Sequence, residues 1–202
     1  MKLLGLVLVC LVATSCARPV DLTRQAPATL QQEPGGYELA HVERVVDGDT
    51  IEIRVTSRVA GPGAGEARVG STYHVRLIGI DTPESVDPRR PVECFGKQAS
   101  AATAALLEGK DVTLVKDIEE ADRYDRLLRY VYVEAEMVNA RLVLNGYATV
   151  YTFPPNVRHT DLFVALQRRA RAAGAGLWSR DTCGGPSASG ERPSGAWVGD
   201  TI

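Results

Sequence analysis

Residues 45–55 read Val45-Val46-Asp47-Gly48-Asp49-Thr50-Ile51-Glu52-Ile53-Arg54-Val55. Asp47-Gly48-Asp49 is a turn signal: Gly reaches backbone conformations that other residues resist, and short acidic side chains bond their own backbone. After the turn, Ile51, Ile53 and Val55 alternate with Glu52 and Arg54, the period of two expected of a half-buried strand. Glu38 to Val46 supplies the partner strand before it. Across a Gly- and Ala-rich stretch at 57–70, Thr72 to Ile80 offers a third strand, and the three pair best as a meander.

Working outward, a helix is expected over roughly 95–107. Its small residues Ala99, Ala102 and Ala105, with Leu106-Leu107 at the end, allow close packing on a sheet, and Gly109 stops it. Strands are expected near 111–117 and 127–134. A second helix spans 137–145 and ends at Gly146. A third spans 160–176 and places Leu162, Leu166, Ala170, Ala173 and Leu177 on one stripe, with Arg168, Arg169 and Arg171 toward solvent. The expected class is α+β: a five-stranded Greek-key β-barrel of the OB-fold type with three packed helices.

The chain has 202 residues, enough for one domain plus appendages. It is 45% hydrophobic with 19 scattered Gly, which excludes a collagen and an acidic disordered chain. With 23 basic and 25 acidic side chains it lacks the cationic excess of a histone-like nucleic-acid binder. The near-neutral total hides an asymmetry. Residues 37–122 carry 10 basic and 16 acidic side chains, whereas residues 123–180 carry 9 basic and 4 acidic. The second half can attract phosphate.

Residues 1–16 form a targeting segment. Met1-Lys2 precede an apolar run of ten, Leu3 to Val12, too short to span a bilayer but suited to the core of a signal peptide. The run closes in Ala13-Thr14-Ser15-Cys16, which resembles the lipobox of bacterial lipoproteins, with Cys16 as the lipidated residue; ordinary cleavage after Ala17 is the rival reading, and an uncleaved anchor, disfavoured by the short run, the third. Either cleavage exports the protein, to the cell envelope or beyond, with membrane contact only through the lipid. Residues 17–36, with Pro19, Pro27, Pro34 and three Gln, read as a tether, 37–180 as the domain and 181–202 as a disordered tail. Cys10 leaves with the signal, so Cys94 and Cys183 remain as an even pair in an oxidising compartment. A disulfide between them is expected to stabilise by roughly 4 kcal/mol in the chain-entropy picture.

Three clusters carry chemistry: Asp47-Gly48-Asp49-Thr50, Arg76-Leu77-Ile78-Gly79-Ile80-Asp81-Thr82-Pro83-Glu84, and Asp122-Arg123-Tyr124-Asp125-Arg126. In the second, Pro83 forces the chain out of a ladder and offers Asp81 and Glu84 at a barrel rim beside Arg76. Asp49 reaches the same rim in a meander. Hard oxygen donors of this kind suit Ca²⁺, whereas His41, His74 and His159 lack zinc-ligand spacing. Two Arg, a hard cation and a further carboxylate are the parts needed for phosphodiester hydrolysis: cations neutralise charge growing on phosphoryl oxygens, and a carboxylate activates or orients water.

The motifs DGDT, RLIGIDTPE, DRYDR, MVNARLVLNGYA and PPN, in that order over about 41–178, resemble the thermonuclease family, the staphylococcal-nuclease-like Ca²⁺-dependent nucleases. The resemblance implies an OB barrel with three helices. It implies Asp49, Asp81 and the Thr82 carbonyl as Ca²⁺ ligands, Glu84 as the residue that activates or positions water, and Arg76 and Arg126 as phosphate clamps. It further places Arg123 and Tyr124 at a terminal phosphate and Tyr151 and Phe153 beside a base. The implied reaction is hydrolysis of DNA and RNA at the P–O5′ bond to leave 3′-phosphate ends, by a monomer. Asp125 stands where the family commonly has Gly, and Phe153 where it has Tyr. Asp tolerates a positive φ better than most residues, yet Asp125 could pair with Arg126 and blunt it.

Taken singly, several of these residues have simpler readings. Asp47 is expected to be structural, and Arg129 to belong to a solvated charge cluster. A rival function, a non-catalytic nucleic-acid- or protein-binding module on the same fold, would be expected to lack catalytic carboxylates or Arg, and none is missing here. A Ca²⁺-stabilised structural envelope protein would leave both Arg residues without a purpose.

Overall fold

A computed structural model describes residues 30–85 and 92–183. Cys16, the signal segment, the tether up to residue 29 and the tail from 184 lie outside the described residues. The elements run β1 (Tyr37–Asp47), β2 (Thr50–Val59), β3 (Thr72–Leu77), β4 (Ile80–Asp81), α1 (Gly96–Leu107), β5 (Asp111–Val115), β6 (Leu127–Val133), β7 (Glu136–Met137), α2 (Val138–Leu144), β8 (Thr149–Val150) and α3 (Thr160–Ala173). Single 3₁₀ turns lie at Leu30–Gln32 and Gly176–Trp178.

Strands β1, β2 and β3 form the expected antiparallel meander. β1 also pairs with β5, β5 with β6, and β6 closes on β3 in parallel, which makes a five-stranded mixed barrel in the order β3-β2-β1-β5-β6. This is the OB-fold with three helices. The β1–β2 register slips at Leu39/Ala40, Val42/Arg44 and Val45/Asp47, and such bulges bend a long hairpin around a small barrel. Alternation delivers Ala40, Val42, Ile51, Ile53, Val55, Val75 and Leu77 to the barrel interior, joined by Leu114, Val131 and Leu142.

Four expectations need correction. The tether was expected to reach residue 36, but its described part packs on the domain. The Leu30 N–H bonds Ala135 O at 3.1 Å, and the buried Glu33 carboxylate accepts from Tyr132 and His159 and pairs with Arg158 at 2.8 Å. Arg129 is not solvated. It is fully buried and paired with the equally buried Glu38 at 2.6 Å beneath the 57–70 loop. There the loop must come close: a Cβ on Gly65 would lie 1.8 Å from Arg129 Nη2. The third helix is shorter than expected, and its buried stripe is Phe163, Leu166 and Ala170, while Ala173 is exposed. In the first helix Ala99 faces inward as expected, but Ala105 is exposed; Thr103 takes the next inward position, and its hydroxyl donates to Gly48 O at 2.6 Å.

Cys94 and Cys183 are disulfide-bonded across 89 residues, with Cα atoms 5.9 Å apart. The last described turn, at Asp181–Cys183, is thereby fixed to the start of α1. Among the described residues no helix is long and apolar enough to cross a membrane.

Candidate active site

The meander brings the first two chemical clusters together. Thr50 stands opposite Arg76 in the β2–β3 ladder, and the Leu77 N–H bonds Asp49 O at 2.9 Å. The Asp49 side chain is therefore delivered to the end of β3, where the chain turns through Ile78-Gly79 into β4. One guanidinium nitrogen, Arg76 Nη2, lies 3.2 Å from Asp49 Oδ2 and 2.8 Å from Asp81 Oδ1. The Arg76 Nη1 donates to Leu77 O at 3.0 Å and to Ile80 O at 2.8 Å, which locks the side chain against its own turn.

Thr82 folds back onto the same carboxylate. Its backbone N–H donates to Asp49 Oδ2 at 3.0 Å and its hydroxyl to the same oxygen at 3.2 Å, while the Thr50 hydroxyl donates to Asp49 Oδ1 at 3.0 Å. This approach needs glycine at the turn, because a Cβ on Gly48 would lie 2.6 Å from the Thr82 hydroxyl oxygen. Beside it, burial pushes the Asp47 carboxyl above its ordinary value. Hydrogen bonds from Ser85 and the Gly48 N–H oppose the shift, and the Asp49 and Glu84 charges add to it. Asp47 accepts the Ser85 hydroxyl at 2.5 Å, a structural contact as expected from the sequence.

The third cluster is a tight turn wrapped around Asp122. Its carboxylate accepts the Tyr124 N–H at 2.9 Å, the Arg126 N–H at 3.1 Å and Arg126 Nε at 2.7 Å. Asp125 completes the turn at φ +61°, the left-handed region that Asp enters more readily than most side chains. The carboxylate partner of Arg126 is thus Asp122, at 2.6 Å, and not Asp125. Burial works against ionised Asp122, but the hydrogen bonds from Arg126 and the turn N–H groups, with the Arg126 charge, hold it below its ordinary value. Arg126 Nη1 is left pointing at Thr50 Oγ1, 3.5 Å away, so the turn meets the Asp49 shell. The Arg123 guanidinium stacks 4.8 Å from the centre of the Tyr124 ring.

A cavity of about 660 Å³ lies beside this junction. Arg76, Asp81, Arg123, Tyr124, Arg126, Tyr151 and Phe153 all line it, which unites seven residues singled out from the sequence. Tyr124, Tyr151 and Phe153 are more than half exposed, with ring surface available to a ligand. Asp49 and Thr82 sit behind Arg76 rather than on the cavity wall. Glu84 is half-buried and also off that wall, and its backbone is tied to Glu93: Glu93 N–H to Glu84 O at 2.9 Å and Glu84 N–H to Glu93 Oε2 at 3.2 Å.

Among the described residues no group of three or more His, Cys, Asp or Glu side chains converges as a metal shell. The donor chemistry of Asp49 and Asp81 is nevertheless all oxygen, two carboxylates held by one guanidinium nitrogen with the Thr82 hydroxyl beside them, which fits a hard cation that keeps several waters. It does not fit zinc: His41 bonds Asp111, His74 bonds Glu52 and His159 bonds Glu33, each away from this rim.

Two positioning residues carried no sequence signal of their own. Asn139 on α2 is fully buried; it accepts the Val131 N–H at 2.9 Å and donates to Ile78 O at 3.0 Å, fixing the turn that carries Asp81. Asn156 accepts the N–H groups of Ile118 and Glu119 at 3.1 and 3.0 Å and lines the cavity. Both lie inside quoted motifs, MVNARLVLNGYA and PPN. An Asn within a helix that otherwise buries apolar residues is the cue that could have found the first.

The sequence model of a family described as Staphylococcal nuclease homologue matches residues 74–180. The chain is 38% identical over 139 residues to a protein named Thermonuclease from Staphylococcus intermedius, covering 69% of this chain and 75% of that one. It is 36% identical over 138 residues to a Thermonuclease from Staphylococcus hyicus, covering 68% and 74%. It is 30% identical over 141 residues to Endonuclease YncB from Bacillus subtilis (strain 168), covering 69% and 61%.

Proposed function

We propose, from the premise that this chain belongs to the staphylococcal nuclease homologue family and is a nuclease of that family, that it is exported, requires Ca²⁺ and hydrolyses DNA and RNA to 3′-phosphate ends. The observation that carries the reading is the single guanidinium, Arg76, that touches both Asp49 and Asp81 at a cavity also lined by Arg126 and three exposed aromatic rings. A phosphodiester needs that combination: cations for its oxygens, flat surfaces for its bases and oxygen donors for a metal.

Asp49 and Asp81 would hold Ca²⁺ through their carboxylates, with the Thr82 carbonyl as a third protein ligand. A Ca²⁺ held there would supply positive charge to balance that growing on the phosphoryl oxygens. Arg76 and Arg126 donate to the other phosphoryl oxygens. Arg126 is suited to this because Asp122 holds its Nε and Nη2 and leaves Nη1 to the site. Glu84 accepts or orients the proton of the attacking water. Water adds to phosphorus, the P–O5′ bond breaks, the departing 5′ oxygen takes a proton, and phosphate stays on the 3′ side. Arg123 and Tyr124 hold a terminal phosphate, and Tyr151 and Phe153 flank a base.

Export is supported by the apolar run Leu3 to Val12, with Cys16 as the lipidation site, and by a disulfide of the kind that persists in oxidising compartments. Residues 37–180 are the catalytic domain, acting as a monomer. The test is Arg126→Ala: loss of a donor to the transition state is expected to lower kcat on the order of 10²-fold or more with little change in fold. Unchanged kcat would remove Arg126 from the mechanism.

A further inference from the structure

Three carboxylates line the cavity: Asp81, Asp122 and Glu119. Asp81 is answered by Arg76 at 2.8 Å and Asp122 by Arg126 at 2.6 Å. Among the described residues no cation pairs with Glu119. Its Oε2 accepts only the neutral amide of Asn156, at 2.9 Å. That contact fixes it firmly, because Asn156 is buried, accepts the N–H groups of Ile118 and Glu119, and bonds Phe153 O through its own N–H at 3.1 Å. Glu119, Asn156 and Phe153 thus form one mount on which a carboxylate stands beside an exposed aromatic ring.

A negative charge there is misplaced for phosphate binding. The phosphate of a bound nucleotide must therefore lie over the guanidinium groups of Arg76 and Arg126, which leaves the base to the aromatic rings and to Glu119. A carboxylate is an acceptor only, so it needs N–H groups from whatever reaches it. We infer that Glu119 reads the base edge and selects, at the nucleotide held in this cavity, bases that present an amino group over thymine and uracil. Adenine, cytosine and guanine each offer an exocyclic amine. Guanine adds an adjacent ring N–H and can satisfy a carboxylate with two parallel bonds, so it ranks first. Thymine and uracil offer one ring N–H between two carbonyl oxygens, and those oxygens repel the carboxylate. This inference rests on the nuclease reading for its substrate class.

The experiment titrates the full chain in Ca²⁺ with dGMP, dAMP, dCMP and TMP by calorimetry, and maps cut positions on a mixed-sequence single strand. Wild type is expected to bind dGMP about tenfold more tightly than TMP, and to cut with thymine depleted at one position beside the scissile bond. Both preferences are expected to fall toward one in Glu119→Gln and Glu119→Ala. Glu119 is half-exposed, so both variants should fold. Equal binding of dGMP and TMP by wild type, or a preference that survives both substitutions, overturns the inference. Cleavage without base preference sinks the role of Glu119 and leaves the nuclease reading standing. Preference in binding without any cleavage keeps Glu119 as a base reader and sinks the nuclease reading.

Discussion

Arg126 and Arg129 stand three residues apart in the same motif region, and the structure gives them opposite fates. Arg126 ends a surface turn and faces the cavity, whereas Arg129 enters β6 and pairs with Glu38, both fully buried. Nothing local in the sequence separates the two, because the partner that makes burial possible lies 91 residues earlier. A buried ion pair is costly to break, so Arg129→Met is expected to destabilise by about 3–5 kcal/mol in urea unfolding, with Glu38 left charged and dry. Adding Glu38→Leu should recover most of that loss. Gly48 makes a second case. Its turn was legible from Asp47-Gly48-Asp49, but the reason for glycine there is the Thr82 side chain 34 residues on. Gly48→Ala is expected to displace Thr82 from Asp49 and to raise the Ca²⁺ concentration needed for half-maximal activity more than it lowers the melting temperature. A melting loss with unchanged Ca²⁺ requirement would contradict this.

Among the elements, strands were legible wherever alternation was clean, as in β2, and helices wherever a glycine ended them, as at Gly109 and Gly146. The buried face of α3 was misread by one position because Phe163, rather than Leu162, fills the space under Gly79; tertiary contact decided the rotation and periodicity could not. Asn139 shows what an element can do for a site. It joins α2 to β6 and to the Ile78–Gly79 turn, so Asn139→Ala leaves two backbone groups unsatisfied, which costs about 1–3 kcal/mol each. Chemical denaturation should register that loss, whereas the exposed Arg141→Ala on the same helix should register little. The segment before β1 carries a pH dependence. Burial opposes the charge on Glu33, but hydrogen bonds from His159 and Tyr132 and the charges of His159 and Arg158 outweigh it and hold its pKa below the ordinary 4.5. The stability this adds is complete above pH 4.5 and is lost as the pH falls through the lower folded value. Melting temperature against pH should therefore fall more steeply below pH 4.5 in wild type than in Glu33→Gln; parallel curves would contradict it.

For the whole molecule, the acidic first half and basic second half meet at one rim, which composition alone concealed under a net charge of −2. The Asp122–Arg126 pair and the approach of Arg126 to Thr50, beside the Asp49–Arg76 pair of the first half, are where the two halves engage. The Cys94–Cys183 bond closes an 89-residue separation and ties the end of the domain to α1; Cys183→Ser is expected to cost about 4 kcal/mol, read as a lower melting temperature. With no cationic excess, affinity for DNA without Ca²⁺ should be weak and should fall further with salt. The most direct measurement digests single-stranded DNA with the purified protein in Ca²⁺ or in a chelator and analyses the ends. Degradation that requires Ca²⁺ and leaves 3′-phosphate and 5′-hydroxyl ends is the expected result. Degradation that persists in chelator, or fragments carrying 3′-hydroxyl and 5′-phosphate ends, would contradict the account.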